Sequence, residues 1–175
     1  MAVVGTVLAG HLQAVSVLET GRRQAATTLE TTRDEIAGRR ELDRVREQVT
    51  RYGELVQSST RMRILMQRFE RLDEKSKRDP AVVGELIEGT DDLAAKANSA
   101  AVILQSHKSK AVRENSHGIA FTLPYAAQCL ETGMPGSANG YRVDYPSKGL
   151  ISCVELRKWL EVHEGRLAQE PPAFS

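Results

Sequence analysis

The dipeptide Asp79-Pro80 limits the fold of this chain more than any other feature, because it parts two long helical patterns, roughly Arg40 to Arg78 and Val82 to Glu114. Asp is a favoured N-cap, since its carboxylate accepts from the free amides of the first turn. Pro suits the first helical position, where its missing N–H would be unpaired anyway. One helix should stop here and a second begin. Side-chain size then says how the two meet. Met62, Leu65, Met66, Phe69 and Leu72 make the first flank bulky, whereas Ala94 to Ala101 make the second flank small. A hairpin lets the bulky residues fill the groove above the small ones, and short connections favour antiparallel neighbours. A helix kinked at Pro80 would leave both surfaces without a complement.

The pattern on either side is heptad-like. In the first segment Leu8, Val15, Arg22, Leu29 and Ile36 fall on one line, with His11, Leu18, Ala25 and Thr32 on the complementary one. This is a coiled-coil seam with polar interruptions. Thr27, Thr28, Thr31 and Thr32 are mediocre helix formers, and Gly5, Gly10, Gly21 and Gly38 each weaken a helix by roughly 1 kcal/mol relative to alanine. The segment is marginal alone and should fold against something. The second seam runs through Leu42, Val45, Val49, Tyr52 and Val56, then slips to Met62, Met66 and Phe69. After the break, Val83, Leu86, Leu93, Ala97, Ala100 and Leu104 continue it.

Composition supports narrow seams in place of a large globular core. Aromatics are 5%, charged residues 27%, and the 41% apolar share leans on alanine. A net charge of +1 gives no global field toward nucleic acid or an anionic membrane. The run Arg61 to Arg78 is locally basic and reads as a solvated helix face. The apolar start Ala2 to Ala9 is too short to span a bilayer, and the first basic residue, Arg22, comes late for a mitochondrial presequence. Cys129 and Cys153 lie far apart without metal spacing and read as reduced thiols of a soluble intracellular protein.

The remainder is shorter elements. Asn115 to Gly118 is expected to end the long helix, with Gly118 as a left-handed C-cap. Ile119 to Thr122 would be a connector, and Thr122 would cap a brief helix from Leu123 to Thr132. Met134 to Gly140 and Tyr141 to Gly149 are too rich in Gly and Pro for a helix and read as extended. Ser152-Cys153-Val154-Glu155 is a capping box that opens a last helix, with Leu156, Trp159, Leu160 and His163 on one face.

Catalytic signatures are weak. His11, His107, His117 and His163 stand singly, with no pair at metal-ligand spacing. Gly133 to Gly140 lacks the Lys-Ser or Lys-Thr pair of a phosphate loop and does not follow a strand. Cys129 with His117 or His163 as base is the least favoured reading. No catalytic, cofactor or metal residues are assigned.

The order of features in the second half resembles subunit four of the transcriptional Mediator complex. Lys108, Lys110, Ala111 and Val112 stand where that family has a lysine-bearing helix end. Gly118-Ile119-Ala120 stands for its apolar connector, and Tyr125-Ala126 with Cys129, Thr132 and Pro135 for its Tyr-Ala-His-Arg-Ile type motif. Tyr145-Pro146 and Gly149-Leu150-Ile151 match its extended segment. Ala127, Gln128 and Cys129 replace the motif's histidine, arginine and isoleucine, and the family's long tail is absent. The resemblance implies a non-enzymatic scaffold subunit of the Mediator middle module, in the nucleus, bridging transcription regulators and RNA polymerase II. The alternative is a cytoplasmic helical adaptor, tether or secretion chaperone.

The expected fold is therefore all-α: an elongated antiparallel helical hairpin or coiled coil, a short extended C-terminal segment and a terminal helix. Residues 1–114 would form the coiled coil, and residues 115–175 a partner-docking region. Other protein subunits would bind through the helical seams, making the chain an obligate member of a hetero-oligomer with no direct nucleic-acid or membrane contact and no cofactor. The expected partner-binding residues are Val45, Val49, Met62, Met66 and Phe69 before the break and Leu86, Leu93 and Leu104 after it. Tyr125 and Leu130, with the extended Tyr141 to Ile151 run, would add a second contact, and Trp159 would either join it or cap the helical core.

Overall fold

The computed structural model describes residues 3–132, 142–146 and 148–169, with side chains described from Glu19 onward. The side chains of Leu8, His11, Val15 and Leu18 thus lie outside the described residues, as does the Gly-Pro run 133–141. The chain divides into two units, Met1–Val45 and Arg46–Ser175, in place of the expected division at residues 114 and 115. The helix α1 (Val3–Arg71) belongs to both.

The second unit is a four-helix bundle. It comprises the stretch of α1 from Arg46 on, α3 (Thr90–Leu104), α4 (Lys110–Thr132) and α5 (Cys153–Gln169). A short α2 (Pro80–Ile87) and the antiparallel hairpin of β1 (Arg142–Tyr145) and β2 (Gly149–Ser152) complete it. Cross-helix contacts give the directions. Gln48 on α1 bonds Ser106 just past α3, while Ile64 and Leu65 line a cleft with Gly89 and Leu93 at the other end, so α1 and α3 are antiparallel. Tyr52 bonds the Leu167 carbonyl and Glu70 pairs with Arg157, which makes α1 and α5 antiparallel. Asn115 meets His163 and Cys129 meets Cys153, so α4 and α5 are antiparallel as well. The expected hairpin is present, and two further helices close it into an up-and-down bundle.

The turn at Asp79-Pro80 forms as its chemistry dictates. The Asp79 carboxylate accepts from the Ala81 amide at 2.9 Å, and Pro80 takes the first helical position. The expected single helix from Val82 to Glu114 is instead three pieces. Gly89, at φ 80°, breaks α2 from α3 in a left-handed conformation that glycine adopts without steric cost. Residues 105–109 then turn the chain into α4.

The expected helix end at Gly118, the connector and the Thr122 cap are also corrected, because α4 runs unbroken through all of them. Gly118 is there to admit a ring. A Cβ at that position would lie 2.5 Å from the imidazole of His163. Thr122 donates back to the Gly118 carbonyl at 2.7 Å. Pro124 sits within α4 on its exposed face. The Ser152–Glu155 capping box forms: the Ser152 amide donates to the Glu155 carboxylate at 2.9 Å, and the Ser152 hydroxyl accepts from the Glu155 amide at 3.3 Å.

The two cysteines, read from sequence as reduced thiols, form a disulfide with Cα atoms 5.7 Å apart. It joins the last turn of α4 to the first residue of α5 and closes the β1–β2 hairpin between them. Sequence separation hid this proximity, because it appears only when α4 and α5 lie side by side.

Candidate interaction surfaces

Most of the expected partner-binding residues serve the bundle itself. Met62, Met66, Phe69, Leu93, Leu104 and Leu130 are buried in one core with Leu55, Val83, Ile119 and Leu123. Leu86 on α2 packs against its edge. Their seams are real, but α3, α4 and α5 are the helices that fill them, so they offer nothing to a partner while the bundle is folded. Val45 is half-buried and Val49 is exposed. Tyr125 and Trp159 are partly buried at the core margin.

The first unit differs. Every described side chain of α1 from Glu19 to Arg44 is exposed. Leu29 is 63% exposed, Ile36 45% and Leu42 58%. Single exposed leucines need no explanation. Here, however, Leu29 and Ile36 stand on the heptad line that the sequence carries back to Leu8. Helices draw most of their stability from burying an apolar face, and no described side chain of this face is buried. Its described polar side chains bond locally instead. The hydroxyls of Thr27, Thr28, Thr31 and Thr32 each bond the carbonyl four residues earlier at 2.8–3.0 Å. Arg23 pairs with Glu19 at 2.8 Å.

A second surface gathers aromatic residues. Phe121 and Tyr125 lie one turn apart on α4 with ring centroids at 5.5 Å. Tyr145 at the end of β1 lies 5.5 Å from Phe121 and 4.8 Å from Tyr125. Trp159 on α5 meets Tyr145 edge-on at 4.9 Å, and the Lys148 ammonium sits 4.5 Å over the indole ring. Edge-to-face rings and a cation over an indole are each favourable. A notch of about 360 Å³ borders this cluster, between Phe121, Pro124 and Tyr125 of α4 and Ala94, Ala95 and Asn98 of α3. Sequence reasoning found Tyr125 and Trp159, and placed Tyr145 in an extended docking segment, but missed Phe121. The Phe121–Tyr125 spacing of one turn was a usable signal, and the supposed connector at 119–122 concealed it.

Polar chemistry concentrates between helices. Asn115 donates from Nδ2 to the Ala111 carbonyl at 2.8 Å, so its Oδ1 accepts from His163 Nδ1 at 3.0 Å. That fixes the tautomer and leaves Nε2 to accept. Burial, then the nearby Arg166 charge, holds the His163 pKa below the ordinary imidazole value. A cleft of about 320 Å³ adjoins it, lined by Ala111, Glu114, Asn115, His163, Arg166 and Gln169. Glu164 accepts from the Ser59 hydroxyl at 2.5 Å and pairs with Arg63 at 3.2 Å. Arg157 pairs with Glu70 at 2.9 Å and Glu161 at 2.6 Å. The basic run is therefore partly spent on α5, while Arg61 and Arg68 border a cleft with Glu88 and Asp92.

The disulfide removes Cys129 as a free nucleophile. Among the described residues no three His, Cys, Asp or Glu side chains converge as a metal site would require. Among them, too, no helix is long and apolar enough to cross a membrane. No known family model matches the chain, and no curated protein or solved structure proved similar to it.

Proposed function

We propose that this chain is a non-enzymatic interaction protein whose arm, the α1 stretch in the first unit, is the surface that takes a partner helix. One observation carries this reading: every described side chain from Glu19 to Arg44 is exposed, including Leu29 and Ile36 on a single seam. Covering such a seam gains roughly 25 cal/mol per Å² of apolar area removed from water, and would stabilise a helix that four glycines weaken. Replacing Leu29 and Ile36 by Glu tests it. Binding to the partner should be lost while the bundle, which uses neither residue, unfolds as before. Retained binding would overturn the reading.

The resemblance of the Tyr125 region leads to a narrower reading, a nuclear Mediator middle-module subunit. Its support is the aromatic surface around Tyr125 and Trp159, which could dock a neighbouring subunit. The connector counterpart Gly118-Ile119-Ala120, however, is interior to α4. The Cys129–Cys153 bond also favours an oxidising compartment, because nuclear and cytosolic thiols are kept reduced. Co-purification with polymerase-associated nuclear complexes would support the Mediator reading. Recovery from an oxidising compartment alone would sink it.

A further inference from the structure

We propose that the aromatic surface of the bundle docks a proline-rich segment of another protein, held as a polyproline II helix with an acidic residue beside its prolines. The site lies wholly in the second unit and stands independently of the arm. The chain carries three Phe, four Tyr and one Trp. Four of them, Phe121, Tyr125, Tyr145 and Trp159, meet here. Rings contribute most when buried, yet the core is built from aliphatic side chains, and Phe69 is the one Phe, Tyr or Trp fully buried among the described residues. At the surface cluster Phe121 stays 40% exposed and the other three rings are half-buried. Apolar area gathered on a polar-rimmed surface marks a place of interaction.

The polar ends of these rings narrow the choice of occupant. Tyr52, half-buried elsewhere on the bundle, gives its hydroxyl to the Leu167 carbonyl. The Tyr125 and Tyr145 hydroxyls and the Trp159 indole N–H bond no other described residue. Three free donors beside apolar ring faces suit a ligand that brings flat apolar groups and unpaired carbonyls together. A docked helix spends its carbonyls on its own ladder. An added strand would pair with a sheet edge and not with side chains. A polyproline II segment makes no internal hydrogen bonds, so its carbonyls remain available, and every third residue returns to the same side after about 9 Å. Its conformation is also set before binding, which lowers the ordering cost.

The surface offers two seats for such prolines. The notch of about 360 Å³ has small residues, Ala94 and Ala95, facing the wall of Phe121, Pro124 and Tyr125. The second seat is Trp159. Tyr145 touches both seats, at 4.8 Å from Tyr125 and 4.9 Å from Trp159, so prolines three residues apart would straddle it. Lys148 gives the polarity. Its ammonium lies 4.5 Å over the Trp159 ring, its side chain is exposed, and it pairs with no carboxylate among the described residues. An acid next to the proline on Trp159 would meet this charge.

Trp159 is the one tryptophan of the chain, so its fluorescence reports occupancy from within the site. The full chain is titrated with two synthetic decaprolines, one ending in Glu and one ending in Lys. Both should give a saturable shift, with the Glu peptide bound several-fold more tightly. Phe121→Ala should weaken binding about tenfold or more. Tyr125→Phe and Tyr145→Phe, which keep the rings and remove one donor each, should each weaken it about fivefold. Lys148→Glu should reverse the preference between the peptides. Urea unfolding checks that each variant keeps its bundle. Leu29→Glu with Ile36→Glu should bind both peptides as wild type does, which separates this site from the arm. Absence of a saturable shift at millimolar peptide overturns the proposal. So does binding indifferent to Phe121→Ala and to both Tyr→Phe changes, which would seat the peptide elsewhere. Equal affinity for the two peptides overturns the role of Lys148. A shift produced by chitohexaose and by neither peptide would make the rings a sugar platform and overturn the proline-rich occupant.

Discussion

Two stretches of the same helix meet different fates. From Leu55 to Phe69, α1 buries a leucine, two methionines and a phenylalanine in the bundle core. From Glu19 to Arg44, it buries none of its described side chains. Heptad lines run through both. What separates them among the described residues is cover: α3 offers Ala94, Ala97, Ala100 and Ala101 as a smooth counterpart to the bulky stretch, whereas every described side chain of the arm is exposed. A seam is intramolecular when its chain also encodes the opposite surface.

The sharpest way to break this contrast is to truncate one leucine on each side. Leu123, fully buried beside Ile119 and Leu130, should cost about 4 kcal/mol of bundle stability as Leu123→Ala, from lost burial and the cavity left behind. Leu29→Ala should change bundle stability by less than about 0.5 kcal/mol, as for other exposed substitutions. Urea unfolding followed through Trp159, the one tryptophan of the chain, reads the bundle. A loss of several kcal/mol for Leu29→Ala would show that the arm is not free of the bundle's energetics.

The disulfide gives the next largest effect. Cys129 and Cys153 are separated by 24 residues, and closing a loop of that size is worth about 3 kcal/mol. Replacing both by Ser should lower the bundle's unfolding free energy by about that amount in calorimetry. Helical circular dichroism of a peptide covering the arm should be unmoved by reductant, since it contains neither cysteine. A bundle indifferent to the substitution would mean that the bond contributes little and that packing alone sets the α4–α5 register.

How legible was this fold? Local chemistry was read well where it is local. Asp79-Pro80 and Ser152–Glu155 are caps whose donors and acceptors lie within a few residues, and the hairpin followed from complementary side-chain sizes. Failures came where a distant partner decides. Gly118 looked like a helix end, yet its role is to admit the His163 ring from another helix. Cys129 looked like a free thiol because Cys153 becomes its neighbour only after α5 folds back. The seam residues were correctly apolar, but whether Met62 or Leu130 faces self or partner depends on how many helices close the bundle. For the candidate site, Leu29 and Ile36 were visible as a seam. Phe121 was not recognised because the supposed connector hid its place on α4, and that Tyr145 joins it was not visible because their cluster spans α4 and a strand.

Gly118 offers a smaller test within the bundle. Gly118→Ala gains about 1 kcal/mol in helix propensity, but its new methyl group meets a ring held in place by Asn115. Crowding of this kind costs about 1–3 kcal/mol, so the net change should be a loss of about 1 kcal/mol. Adding His163→Ala removes the obstructing ring, and the double variant should then be more stable than the sum of the single changes predicts. Additive losses would show that His163 yields without cost.

The mildest perturbation is pH, and it should act on the bundle while sparing the described part of the arm. Burial lowers the pKa of His163, with Arg166 adding to the shift, and burial likewise lowers that of His107. His107 accepts from the Ser109 amide through Nδ1, and a proton there would break that bond. Both imidazoles are therefore favoured as neutral groups in the folded state. Between the folded and ordinary histidine pKa values the unfolded chain binds more protons, so stability rises with pH across that window. The contribution is present above the ordinary value of about 6.5 and is lost as pH falls through the folded values. The arm from Glu19 to Arg44 carries carboxylates and guanidiniums but no imidazole, so its helicity should stay flat over the same window. Melting temperatures by Trp159 fluorescence should fall on acidification in wild type and fall less in His163→Gln, whose amide can still donate toward Asn115 but does not titrate. An equal slope in both proteins would assign the dependence to His107 and leave His163 as a packing residue over Gly118.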